Sequence, residues 1–312
     1  MKKNVKRALA AVCLLPFAFS GAACANLTEV SEAERESVYG DYLTRYESAL
    51  VELSERESLY LNYYVSTRES VEQGENKRES KMTAEADLDA TSGKQARAAT
   101  TVEQSQSTTT ADGTTTLSQK SYLYALADGV YQKTVQTEGD NVTEEKSFTA
   151  KAEGAEETFT VTDFFAELPT FAELSAQGDV KLFADANGRG MRIEYSFVET
   201  GVNYGGLDVE GLETVAETTY SITLRFDVVG KLLTFETEMI MRFNATAPTA
   251  NAPESGEGEG GVEAMSESGE GGGENTLPPN GKAYERYYVK ATVKDGSSVK
   301  LPSATELETY KQ

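Results

Sequence analysis

The sequence predicts an α+β protein: one large, curved antiparallel sheet with helices laid on one side. Three observations carry this reading. From Leu59 onward, apolar and polar residues alternate in segment after segment, giving strands with one dry and one wet face. Gly-containing pairs such as Asp128-Gly129 and Asn187-Gly188 separate several of these segments, and such pairs turn antiparallel hairpins. Helical spacing is confined mainly to residues 26–57 and to a short stretch after Asp163.

The clearest strand pair runs over residues 218–245. Tyr220, Ile222, Leu224, Phe226 and Val228 alternate with polar residues, Gly230 allows the reversal, and Leu233, Phe235, Met239, Met241 and Phe243 continue the pattern on the return. An apolar face of this kind needs a cover.

The 312 residues are read as a signal segment over 1–23 and a single domain over 24–312. The net charge is −22, with no histidine and no tryptophan. A chain this acidic repels nucleic acid and anionic headgroups. The lack of histidine removes the commonest general base and zinc ligand. Cys13 and Cys24 are the only cysteines and both precede the folded part, so no disulfide staples it.

Residues 1–23 read as an export signal. Lys2, Lys3, Lys6 and Arg7 precede an apolar run over 8–19 that is too short for a stable membrane span. Loss of the segment would leave the chain four units more negative. Ser20-Gly21-Ala22-Ala23-Cys24 resembles a bacterial lipobox, with Gly21 where leucine is usual; Cys24 would be lipidated and become the new N-terminus. Ordinary cleavage after Ala23 or Ala25 fits the same residues. Lipidation is preferred because a secreted chain otherwise carries an unpaired thiol.

Residues 26–57 read as a helix, with Ser31 and Glu34 at capping-box spacing. Val38, Tyr42, Tyr46, Leu50 and Leu53 form its stripe, with Tyr39 and Leu43 beside them. Its tyrosines are expected half-buried, with hydroxyls reaching water. Strands then follow. Leu59, Leu61, Tyr63, Val65 and Thr67 make one face; Met82, Ala84, Ala86 and Leu88 make the next. A polar, threonine-rich third strand covers 96–109. Tyr122, Tyr124 and Leu126 lead into the turn at Asp128-Gly129, and residues 130–137 return.

After Asp163, a candidate N-cap, Phe164, Phe165, Leu168, Phe171 and Leu174 lie on one side, with Pro169 splitting the helix in two. These phenylalanines should lie on the sheet. A hairpin turned at Asn187-Gly188 brings back Met191, Ile193, Tyr195 and Phe197, and 207–216 reads as a short helix. Residues 246–281 are Gly-, Glu- and Ser-rich and nearly free of bulky side chains, an insertion expected to be disordered within a hairpin. Tyr287, Val289, Ala291 and Val293 give the last long strand, and Val299-Lys300-Leu301-Pro302 closes the sheet.

No catalytic constellation stands out. Triads that need histidine are impossible, and 51 acidic residues offer too many carboxylate pairs for any one to be informative. Asp185, Asn187 and Gly188 lack the further oxygen ligands of a calcium loop and serve better as a turn. No cofactor, metal or enzymatic activity is expected.

The lipobox-like start, N-terminal helix, long antiparallel strands, the Tyr122-Leu123-Tyr124 and Asp128-Gly129-Val130-Tyr131 hairpin, the mid-chain helical interruption and the Val299–Pro302 close together resemble the LolA-like lipoprotein-carrier superfamily. The resemblance covers most of 26–311. It implies an unclosed half-barrel whose concave apolar face, lidded by helices, holds acyl chains or another apolar ligand. The chain is therefore expected to be an exported, lipid-anchored, non-enzymatic lipoprotein. Its partners would be the membrane, through Cys24, and a hydrophobic small molecule or lipid held by Phe164, Phe165, Leu168, Phe171, Ile222, Leu224, Phe226, Met239 and Met241. The competing expectation is a surface-exposed structural or interaction lipoprotein with a filled core and no ligand.

Overall fold

The computed structural model describes residues 27–91, 94–151, 160–248, 279–296 and 299–312. The expected export signal, Cys24 and most of the acidic insertion lie outside the described residues. Twelve strands form one open antiparallel sheet. In chain order they are β1 (Leu27–Glu29), β2 (Leu59–Gln73), β3 (Asn76–Thr91), β4 (Lys94–Thr110), β5 (Gly113–Leu126), β6 (Gly129–Glu138), β7 (Asn141–Ala150), β8 (Asp179–Asp185), β9 (Gly190–Thr200), β10 (Glu213–Phe226), β11 (Leu232–Thr246) and β12 (Gly281–Lys294). Their spatial order is β1-β8-β9-β10-β11-β12-β2-β3-β4-β5-β6-β7. Two hairpin meanders, β8–β12 and β2–β7, thus meet where β12 pairs with β2, and among the described residues β1 and β7 are the edges.

A long helix, α1 (Arg35–Glu55), packs on one face through Tyr39, Tyr42, Tyr46, Ala49 and Leu53, buried at three- and four-residue steps. The same cluster takes in side chains from eight consecutive strands, from Leu182 on β8 to Ala98 on β4. Laid flat, eight strands span about 34 Å, roughly three helix widths, so the sheet has to wrap to reach one helix.

The helix starts later than its sequence suggests. Residues 27–29 instead pair with β8, and Arg35 fixes the turn by donating to the carbonyls of Val30 and Val180 at 3.3 and 2.9 Å. Ser31 and Glu34 bond side chain to side chain at 2.6 Å in the preceding turn and make no capping box.

The β10–β11 pair forms as expected, with one correction. The register shifts between Arg225 and Phe226, so Leu232 faces the core at 1% exposure while Leu233 points out at 42%. Val228 lies exposed in the turn, where the Asp227 carboxylate accepts from the amides of Val229 and Lys231.

The expected helix at 207–216 does not form. Gly206 and Gly211 take φ of +88° and +76°, and the segment runs irregularly until β10 begins at Glu213. Val202, Tyr204, Leu207, Val209 and Leu212 cover Val71, Ala216, Phe243, Ala245 and Ala283 at the other end of α1's face. Gln73 holds this loop with bonds to both the carbonyl and the amide of Asp208.

The closing strand at 299–302 is absent as well. Pro302 brings no N–H to a ladder, and Ser303 caps a short helix, α3 (Ala304–Glu308). Tyr310 after it packs against Tyr124 and Tyr131, on the sheet face opposite α1.

Candidate functional site

Apart from Cys24, which lies outside the described residues, the candidate that the sequence singled out is the apolar face of the sheet, and its geometry divides into two parts. The first lies beneath α1 and the segment 160–175. That segment holds a 3-10 turn (Val161–Phe164), in which Thr160 is the N-cap and Asp163 its capping-box partner. It continues into a short helix, α2 (Phe171–Ser175), capped by Thr170 with Glu173.

Three α1 tyrosines fix this arrangement. Tyr39 donates to the Pro169 carbonyl at 2.8 Å, Tyr46 to Ala166 at 2.9 Å, and Tyr42 to Gly190 at 2.8 Å. They are buried, so their hydroxyls reach backbone oxygen where the sequence suggested water. Burial is the main cause that pushes the phenols of Tyr39 and Tyr46 above their ordinary range, with Glu173 adding to the effect at Tyr39.

Of the residues expected to hold a ligand, Phe165, Leu168, Ile222, Leu224 and Phe226 belong to this buried cluster, and Phe164 and Phe171 are half-buried against it. Ring contacts join them to α1 and to neighbouring strands: Tyr39 with Phe171 at 6.0 Å, Tyr42 with Phe226 at 6.2 Å, and Phe165 with Phe235 at 5.9 Å. Leu224 is fully buried. These seven side chains come together, but as a packed layer.

Met239 and Met241 lie elsewhere. They sit further along the same face of β11, half-buried, opposite Tyr220 and Thr218 of β10 and Tyr287 and Glu285 of β12. Beside them runs an aromatic ladder that sequence reasoning did not assemble. Tyr195 and Tyr220 stack at 4.9 Å and 8°, and Phe197 stacks on Tyr220 at 6.1 Å and 17°. Alternation put Tyr195 and Phe197 on one face of β9; only the β9–β10 register could set Tyr220 directly opposite Tyr195 and diagonal to Phe197.

The second part is thus a half-open strip between α1's cluster and the 201–212 loop. It ends at a carboxyl pair, Glu285 opposite Glu69 across β12 and β2, with Arg78 bound to Glu69 at 2.7 Å. Burial, and then the charge of Glu69, raises the Glu285 carboxyl above its usual range.

Two hollows open on the sheet. One of about 540 Å3 lies over β3–β6, lined by Lys81, Glu103, Ser105, Lys120 and Tyr122. A smaller one of about 160 Å3 is lined by Gln104, Gln119, Ser121 and Gln132 among others. Polar side chains outnumber apolar ones around both, although most of the exposed lining surface is apolar, and neither is lined by α1. Among the described residues, no cluster of His, Cys, Asp or Glu is placed to hold a metal ion, and no helix is long and apolar enough to cross a membrane. No protein-family model matches the chain, and no curated protein matches it significantly.

Proposed function

We propose that this chain is an exported, lipid-anchored lipoprotein that works without catalysis, as a structural or interaction module at the outer face of a bacterial membrane. In this reading the fold is an α+β half-barrel of LolA-like type. The segment 160–175 and α1 form its lid, and Cys24 is the anchor. One observation favours a scaffold over a carrier: the space between lid and sheet is filled. Tyr39, Tyr46, Leu224 and Phe235 meet there, none more than 1% exposed.

The test measures urea stability of Leu224→Ala beside uptake of a fluorescent fatty acid by the parent protein. A filled core predicts a loss of about 2–5 kcal/mol and no uptake. Stoichiometric uptake with a small loss of stability would overturn the scaffold reading. The anchor is tested separately: Cys24→Ser should move the protein from the membrane fraction to the soluble exported fraction, since acyl chains are what hold it.

A second reading keeps a hydrophobic ligand, an acyl chain or lipid, but moves it to the strip of Tyr195, Phe197, Tyr220, Met239 and Met241. Its support is that these side chains are half-buried, and that methionine suits an adaptable apolar surface. Loss of fatty-acid uptake in Tyr220→Ala, with folding intact, would select it.

A further inference from the structure

We propose that β7 is a self-recognition edge: two copies of this chain join β7 to β7 antiparallel, extending one sheet into the other. The argument starts from what the strand leaves unsatisfied. β7 is an edge strand of ten residues exposed along nearly its whole length, whereas the opposite edge, β1, has three. A long open edge is a template for pairing.

The direction of its backbone groups is fixed by two observations. The Lys151 amide donates to the Asp128 carbonyl at 2.9 Å, and the Thr149 carbonyl points at Gly129 so closely that a Cβ there would clash with it. Odd-numbered residues therefore turn their polar backbone groups toward β6. By alternation, Val142, Glu144, Lys146 and Phe148 turn theirs outward.

In a two-fold antiparallel pair these four residues must face one another. One register sets Glu144 against Lys146 of the second copy and Val142 against Phe148 of the second copy, each contact occurring twice. Opposite charges and an aliphatic–aromatic pair are both favourable across strands. Shifting by one pairing step either way loses both Glu144–Lys146 pairs and sets Glu144 or Lys146 against itself; the first register keeps both pairs, and its one like-charge contact is Glu145 with Glu145 at the two-fold axis. Val142, 65% exposed, faces an aromatic ring only in the first register. The strand is thus self-complementary in one register, which identifies a second copy as its occupant.

In that register Glu145 meets Glu145 of the second copy at a non-hydrogen-bonded pair, where Cα atoms are about 4.5 Å apart, within disulfide reach. Thr143 is then about 14 Å from Thr143 of the second copy. The test uses the full chain with Cys13→Ser and Cys24→Ser, adding either Glu145→Cys or, at matched charge, Thr143→Cys with Glu145→Ser. Under mild oxidation Glu145→Cys should form covalent dimer at least tenfold faster. Adding Lys146→Glu should remove the difference, and adding Glu144→Lys as well should restore it. Equal rates for the two cysteine positions, a monomeric Glu145→Cys chain, or a charge swap that fails to restore cross-linking would each overturn the proposal. Occupation of the edge by a strand of another protein would appear as the monomeric result.

Discussion

Tyr46 lies against Phe235 with ring centroids 5.6 Å apart and 23° between planes, while its hydroxyl donates to the Ala166 carbonyl. One side chain thus packs on β11 and ties down the segment leading to α2. Tyr46→Phe keeps the stack and leaves a carbonyl unpaired in the core. It should cost about 1–3 kcal/mol in urea unfolding followed by circular dichroism.

The bulge at Arg225 and Phe226 makes a sharper test, because it reverses two adjacent leucines. Leu232→Ala should cost about 2–5 kcal/mol. Leu233→Ala should stay within about 0.5 kcal/mol. An unbroken β11 alternation requires the opposite order, and the two urea midpoints decide between them.

Glu285 gives a pH dependence with a definite sign. Its folded-state carboxyl titrates above the usual range, chiefly through burial and then through Glu69. The folded state therefore holds that proton more tightly than the unfolded chain does. The stabilisation is full below the unfolded carboxylate's pKa and is lost as pH rises through the raised value. Glu285→Gln should raise the urea midpoint at pH 7 relative to the parent, and the gap should close by pH 4. A gap that widens on acidification would refute this.

Tyr310 clamps the far end of the sheet from the face opposite α1. It is buried between Tyr124 and Tyr131, and Lys311 lies over Tyr131 and Phe148. Tyr310→Ala should cost about 3 kcal/mol, the low end for a buried aromatic. Amide exchange should accelerate in β6 and β7 and remain unchanged in α1.

Much of this architecture is legible in the residues, and what is not has physical reasons. Alternation found the face of β2 from Leu59 to Thr67 and that of β10 from Tyr220 to Phe226, because most of the bulky apolar residues of each stretch lie on that one side. It missed β7, where Val142 and Phe148 are the only bulky apolar residues and both faces are left almost wholly exposed, so no face carries an apolar pattern. The helical spacing at 207–216 was real as a pattern, but Leu207, Val209 and Leu212 satisfy it as an irregular cover, with Gly206 and Gly211 in conformations no helix allows. At the C-terminus, Val299 to Leu301 has strand-like composition, and Pro302 with the Ser303 cap decided the outcome.

The candidate site divided along the same line. The sequence gathered Phe164, Phe165, Leu168 and Phe171 correctly beside Leu224 and Phe226. It grouped Met239 and Met241 with them because a shared strand face looks like a shared location. Only the length of β11 separates the two ends, and packing by α1 or by the 201–212 loop decides which end is sealed.

β12 carries a consequence for how the chain is made. It is the seam between the two meanders, pairing Gly281 with Gln73 on one side and with Ala245 on the other. A polypeptide released from its N-terminus therefore exposes both meanders before the strand that unites them has emerged. A chain terminated before residue 281 has two sheets with raw inner edges, while one that reaches Tyr310 also gains the clamp over strands made long before it. Emergence of β12, more than assembly of any early hairpin, is what joins the two meanders into one sheet.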